Sequence, residues 1–273
     1  LYDSLTQKPP IRPDARTEFQ YRPLEAKTAF LPSSNGSSRI RLGDGSECIV
    51  SVKAKVVPFA PDSPLIECDI DLSGHRDDSN FVSNLKFNLT NLLLGNFPTD
   101  LLRLTARYTY KLYIDCLVIS HLSYPLTLLS LATYLALRTT KLPLLVSDTD
   151  DAAVEEQPTF SDDWEDAKPF SSDFKPPIFI TIGVIADNIF FDPSEEEEQV
   201  LENGLIFSWF DNKVISPISN INLACNSNNL NFKGMNSSLL VKGTIAVNKY
   251  AASILLALDT LIELDADSDG RIF

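Results

Sequence analysis

The chain has no Cys-x-x-Cys pair, no glycine-rich phosphate loop and only two histidines in 273 residues. Its four cysteines (Cys48, Cys68, Cys116 and Cys225) lie far apart. That spacing excludes the usual structural zinc motifs and a disulfide-stapled secreted scaffold, and it reads as four reduced thiols of a cytosolic or nuclear protein. Gly43-Asp44-Gly45 is too short for a dinucleotide or P-loop fingerprint and reads as a hairpin turn before a strand at 46. No Gly-x-Ser-x-Gly elbow is present. His121 has Ser120, Ser123 and Asp115 near it in sequence, but a nucleophilic triad needs an order in space that adjacency does not supply. His121 therefore reads as a turn or packed histidine, and His75 as a turn residue at a helix start. No signal-peptide pattern opens the chain, and a first residue Leu1 in place of Met leads us to expect a short preceding piece.

What is present is an ordinary globular composition, 44% hydrophobic and 22% charged, enough for one large domain or two small ones. The net charge of −14 is unevenly spread. Residues 147–175 carry −8 and residues 187–202 carry −7, so the remainder sums to +1. The body is near neutral with two acidic segments attached, and there is no broad basic footprint.

Residues 1–40, rich in Pro, Arg and Ser, read as an extended lead-in with turns. Alternation from Cys48 to Val56 and from Ile66 to Leu72 predicts two half-buried strands, adjacent enough to suggest an antiparallel pair. A helix follows, capped by Asp78 or Ser79, with Phe81, Leu85, Leu89 and Leu92 on one face and Gly95 at a left-handed end. Tyr108 to Cys116 alternate as a strand. Residues 116–137 then run 22 positions without an acid, Lys or Arg. Length alone would allow a membrane span, but His121, Pro125, two tyrosines and several Ser and Thr argue instead for a strand to about Ser120 and a buried helix over about 125–138. Acidic, aperiodic residues 147–176 read as a solvated loop. Strands are expected at 178–185, 204–210 and 214–219, the last two turning at Asp211-Asn212, and a long helix over about 238–263. The fold class is α+β, with two sheet-and-helix halves of similar plan.

Three further signals are weak. Glu195 to Glu198 suit a helix N-terminus better than a cation, since consecutive residues do not converge on one ion. Asp265, Asp267, Asp269 and Gly270 match the start of a calcium loop, but the chain stops before its bidentate Glu. The sequons at Asn35, Asn88 and Asn236 carry no meaning without secretion. The residues alone thus show no catalytic set, no metal site and no cofactor site.

Several segments taken in order resemble RNase PH-like proteins: IRPDAR (11–16) with YRPLE (21–25), GSSRIRLGDGSECIVSVKAKV (36–56), YIDCLVISHLSYPLTLLSLATYLALRTTKLP (113–143) and DPSEEEEQVLENGLIFSW (192–209). The resemblance divides the chain into a first half with its lead-in (1–143), an acidic loop or insertion (144–177), a second half with the C-terminal helix (178–264) and an acidic tail (265–273). It implies a six-membered ring of related subunits with RNA threaded through the centre. Active members of the family are phosphorolytic 3′ exoribonucleases, which need cationic or N–H donors for phosphate, carboxylates for a metal or a proton, and arginines along the RNA.

The chain departs from that pattern at each place. The Gly-Thr-Arg-type loop of active members reads His121-Leu122-Ser123-Tyr124-Pro125-Leu126-Thr127, without arginine, and Pro125 deletes an N–H. The Arg-Glu pair after the first strand reads Val57-Pro58-Phe59-Ala60. For the paired aspartates, Asp192 stands near the first position, and Asn203 and Gly204 near the second. The arginine-rich stretch of inactive relatives reads GNFPTDLLRL (95–104), with only Arg103, and Arg107 lies outside it. The resemblance therefore implies a non-enzymatic, structural subunit of the RNA exosome core ring with no cofactor. Its expected partners are other RNase PH-like ring subunits, cap proteins, a catalytic exoribonuclease bound to the ring and RNA in the channel, with no membrane and no DNA. The expected location is the nucleus and nucleolus, and also the cytoplasm. A sister ring subunit, an active phosphorolytic RNase and a free acidic interaction protein are the rival readings. Residues touching RNA are not identified at this level.

Overall fold

The structure, a computed structural model, describes residues 1–61, 63–146, 158–170, 174–221, 223 and 236–269. Its frame is two sheets with a helix between them. The first sheet has five strands in the order β1-β2-β3-β5-β4, formed by β1 (Leu24–Thr28), β2 (Gly36–Leu42), β3 (Glu47–Pro58), β4 (Ile66–Leu72) and β5 (Tyr108–Ser120). The expected β3–β4 pairing does not occur. β5 lies between them, antiparallel to β3 and parallel to β4. Alternation shows that a strand has one buried face, but not which neighbour it takes. Here the helix α2 (Asn80–Asn96) connects β4 to β5, and a crossover of that length permits parallel strands.

The lead-in is also more structured than its composition predicts. It holds a short helix α1 (Tyr2–Leu5) and both β1 and β2. α2 is capped by Ser79, whose hydroxyl accepts from Val82 N–H. Gly95 lies inside that helix; the chain leaves at Phe97, held extended by the following Pro98.

Pro125 occupies the N-cap of α3 (Leu126–Arg138), where an absent N–H costs nothing. Every residue of α3 from Leu126 to Leu137 is buried, because the helix packs on β2 and β3 on one side and on β8 on the other. That is why its run carries no charge. Gly36 lets β2 come this close: a Cβ there would run into Thr140 and the Ala136 carbonyl. Two short strands, β6 (Lys141–Leu142) and β7 (Lys168–Pro169), form a small ribbon. Within the expected acidic loop, Phe170 and Phe174 are buried and pack edge-on against Phe97, while residues 147–157 lie outside the described residues.

The second sheet has the order β11-β10-β8-β9, from β8 (Ile178–Ile185), β9 (Asn188–Phe191), β10 (Asn203–Phe210) and β11 (Lys213–Ile221), with α4 (Glu195–Glu198) between β9 and β10. Asp211 and Asn212, both at positive φ, turn β10 into β11 as expected. β9 has no counterpart in the sequence reading: four residues are too few for a periodic signal. The last helix, α5 (Ser237–Asp269), packs on β1, β8, β10, β11 and α3. By length and composition alone it could cross a membrane. It runs into the expected acidic tail, and Asp265 accepts from both the N–H and the hydroxyl of Thr28. A helical Asp265 does not begin a calcium loop, and Gly270 lies outside the described residues. Cys48, Cys68 and Cys116 are free and buried, and burial raises their thiol pKa values, to about 12 for Cys68. Cys225 lies outside the described residues.

Candidate functional site

Four segments distant in sequence meet where the two halves join. They are the lead-in (Arg12, Arg16, Arg22), the β2–β3 turn (Asp44), the β5–α3 turn (His121–Pro125) and the β9–α4 connection (Asp192–Glu198). Arg12 is bidentate to Glu197, with Nε to Oε1 and Nη2 to Oε2 both 2.7 Å. Neither side chain is exposed at all (0%). The same guanidinium donates to the carbonyls of Thr17, Phe191 and Asp192. Arg16 donates to the Asp192 carbonyl at 3.0 Å and pairs with Asp14.

Arg22 grips the Asp192 carboxylate with Nε and Nη2 at 2.9 and 2.6 Å, while its own backbone N–H donates to the same group at 2.9 Å. Its Nη1 reaches Ser123 Oγ at 2.8 Å and Asp44. Asp192 is held at φ +48°, a region Asp tolerates better than most residues, and its carbonyl and carboxylate thereby both point at arginines. Burial would raise the Asp192 pKa, but the charge and hydrogen bonds of Arg22, helped by Arg16, hold it below the usual carboxylate value. Burial likewise works against the Arg22 cation, and Asp192 more than offsets it.

At the β5–α3 turn, Tyr124 N–H donates to both carboxyl oxygens of Glu198, at 2.9 and 3.1 Å. Glu198 is buried, and burial pushes its pKa well up, against the pull of the Tyr124 N–H and of Arg22. The peptide donor of the turn is thus already engaged by a carboxyl group of the same chain. A cleft of about 430 Å³ opens beside it, and its walls carry Arg22, Asp14, Asp44, Glu195 and Glu196. The single arginine there is committed to internal acids, and four carboxylates line the opening.

The candidate triad does not assemble. Ser123 Oγ serves Arg22, Ser120 Oγ donates to the Gly45 carbonyl, and Asp115 is exposed on the other face of β5. The His121 ring lies against His75, centroids 5.6 Å apart, and burial lowers its pKa. Gly45 at φ +91° makes the expected hairpin turn. Of the four consecutive glutamates, Glu197 and Glu198 point inward while Glu195 and Glu196 face the cleft, so they do not share an ion. Among the described residues no group of three His, Cys, Asp or Glu could hold a metal. Asn203 and Gly204 pair with Val184 and Gly183 on the far side of β8 from β9, so they form no dyad with Asp192. Arg12, Arg16 and Arg22 are the residues that composition hid. Their signal lay in the IRPDAR and YRPLE segments, not in any periodicity.

The family model for the 3′ exoribonuclease family, domain 1 (RNase PH) matches residues 20–143. The chain is 44% identical over 263 residues to the exosome complex component RRP42 of Saccharomyces cerevisiae, covering 96% of each chain. Its fold is similar to a chain of an archaeal exosome core, with TM-score 0.66 at 18% identity over 91% of both chains. It is equally similar to a chain of the Archaeoglobus fulgidus exosome with RNA bound to the active site, with TM-score 0.66 at 18% identity over 92% of this chain and 93% of that one.

Proposed function

This chain belongs to the RNase PH family of 3′ exoribonucleases, among the exosome components of the RRP42 kind, and from that premise we propose that it is a non-catalytic subunit of an RNA exosome core ring. It contributes wall and interfaces, and the 3′-to-5′ degradation and processing of RNA are carried out by an exoribonuclease bound to that ring. Cap proteins and related ring subunits are its protein partners, and RNA passes beside it. The nucleus, nucleolus and cytoplasm are where such work is done.

One observation carries the non-catalytic part. Phosphorolysis needs free N–H and cationic donors for inorganic phosphate. At the turn where the family resemblance places that grip, Tyr124 N–H is engaged by Glu198, the next residue is a proline, and Arg22 is held by Asp192 and Asp44. A dianion approaching the cleft would also meet Asp14, Asp44, Glu195 and Glu196, and like charges at such range repel. The full chain incubated with single-stranded RNA and phosphate is expected to release no nucleoside diphosphate, and co-expressed with its ring partners to run at the native mass of a multi-subunit assembly. Nucleoside diphosphate release by the purified chain would refute the non-catalytic assignment. A monomeric mass in the presence of those partners would refute the ring assignment.

A further inference from the structure

Residues 79–99 hold a single charge, Lys86, in 21 positions, against 22% charged residues across the chain. They form α2 and its exit. The buried side of α2 carries Val82, Leu85, Leu89, Leu92 and Leu93 and packs on β4. On the opposite side Ser83, Asn84, Phe87, Asn91 and Leu94 share one arc of about 100°, and all five are exposed. Phe87 is 66% and Leu94 38% exposed. Lys86 turns aside, its Nζ 2.7 Å from Asp69. Beside Leu94 the surface opens into a pocket of about 260 Å³, walled also by Phe59, Pro61, Pro64, Phe97 and Leu102.

An exposed helix face ordinarily carries Lys and Glu, which favour a helix more than Asn does. Here that advantage is forgone for neutral hydrogen-bonding side chains around two large apolar ones. Such a composition is that of an interface core, where charge is depleted and aromatic residues are enriched. Charge also selects the occupant. RNA needs cations for its phosphates, and this stripe has none. A bilayer would bury Asn84 and Asn91 without hydrogen-bond partners. A second copy would bring −14 against −14. A helix of another protein with an uncharged contact face meets none of these costs. Its apolar residues lie against Phe87 and Leu94, which stand seven positions and so about two turns apart, and its polar groups bond Asn84 and Asn91. We infer that this face of α2 docks such a helix from a partner subunit, one of whose bulky apolar side chains fills the pocket beside Leu94. The inference rests on the ring reading for the source of that partner, and it is separate from the cleft around Arg22.

The test is hydroxyl-radical footprinting of the full chain, alone and co-expressed with its ring and cap partners, read by mass spectrometry. Phe87 and Leu94 are expected to be oxidised in the free chain and protected in the assembly. F87E/L94E, with both changes at exposed positions, is expected to keep the circular dichroism of the unmodified chain and to be lost from the multi-subunit complex, whereas K8E on the lead-in stays in it. F87A is expected to weaken retention about thirtyfold on dilution, the scale of an aromatic anchor. Full retention of F87E/L94E overturns the inference. If that variant fails to fold, the footprint of the unmodified chain decides: an intact assembly in which Phe87 is as reactive as in the free chain ends this inference alone. A homodimer of the purified chain that F87E/L94E disperses also overturns it, by giving the face to a second copy. So does binding to phosphatidylcholine vesicles that the same changes abolish, which would give it to a membrane. An unmodified chain that stays monomeric beside its partners ends the ring reading and this inference together.

Discussion

The Arg12–Glu197 pair makes a sharp demand on stability. Both side chains are fully buried, and they join residues 185 apart in sequence. Truncating one partner of a buried pair leaves the other charge uncompensated, at a cost of about 3–5 kcal/mol. The two truncations are not equivalent. In Glu197→Ala, Arg12 keeps the carbonyls of Thr17, Phe191 and Asp192, so the loss is expected near the lower end, about 3 kcal/mol. In Arg12→Ala, Glu197 keeps, among the described residues, the Ser194 N–H at 2.8 Å and Arg16 at 3.7 Å, and those three carbonyls lose a donor, so the loss is expected near about 5 kcal/mol. The double variant removes both charges together and is expected to cost clearly less than the sum, with a coupling of about 2–3 kcal/mol. Urea unfolding followed by circular dichroism gives each value. Strict additivity, or a loss under about 1 kcal/mol for Arg12→Ala, would refute the reasoning, because it would mean that water already reaches the pair.

The other expectations are shorter. Folded Glu198 holds its proton to a higher pH than unfolded Glu198, so its contribution is full below about pH 4.5 and is lost as pH rises toward the folded value. Glu198→Gln should therefore gain on the unmodified chain as pH is raised from 5 to 8 in thermal melts, and parallel curves would contradict the assignment. Asp192 works in the opposite sense: its lowered folded pKa supplies stability above about pH 4 that disappears as pH falls further. Asp192→Asn should be markedly less stable than the unmodified chain at pH 7, with the gap narrowing in acid. Leu129, fully buried in α3, should cost about 2–5 kcal/mol as Ala by chemical denaturation, and a smaller loss would mean that the two sheets collapse onto the gap.

Much of the frame could be read from residue patterns. β3 and β5 showed their alternation, α3 and β8 their uncharged runs, and β10–β11 their Asp211-Asn212 turn, because each is a local periodicity imposed by one buried face. What could not be read depends on contacts between distant segments. β4 has the same alternation whether it pairs with β3 or β5. β1 sits in a Pro- and Ser-rich stretch whose strand character comes from its neighbours, whereas β2 showed through the Gly43-Asp44-Gly45 turn that follows it. At the site, the Pro125 interruption and the missing arginine were visible in the sequence. The occupation of Tyr124 N–H by Glu198 was not, since it joins positions 74 apart. The acidic run at 195–198 read as a helix start, as it is, but nothing local signalled that two of its four members turn inward to buried donors.

The lead-in arginines also fix an order of events at birth. Arg12 leaves the ribosome 185 residues ahead of Glu197, and synthesis at about 5–20 residues per second makes that gap roughly 10–40 s. Through that interval a cation destined for a dry interior has no counter-ion, and the apolar flank of α3 that β8 will cover stays open to solvent. Joining of the halves is thus a late step of biogenesis, and the nascent first half is the form of this chain most in need of a chaperone.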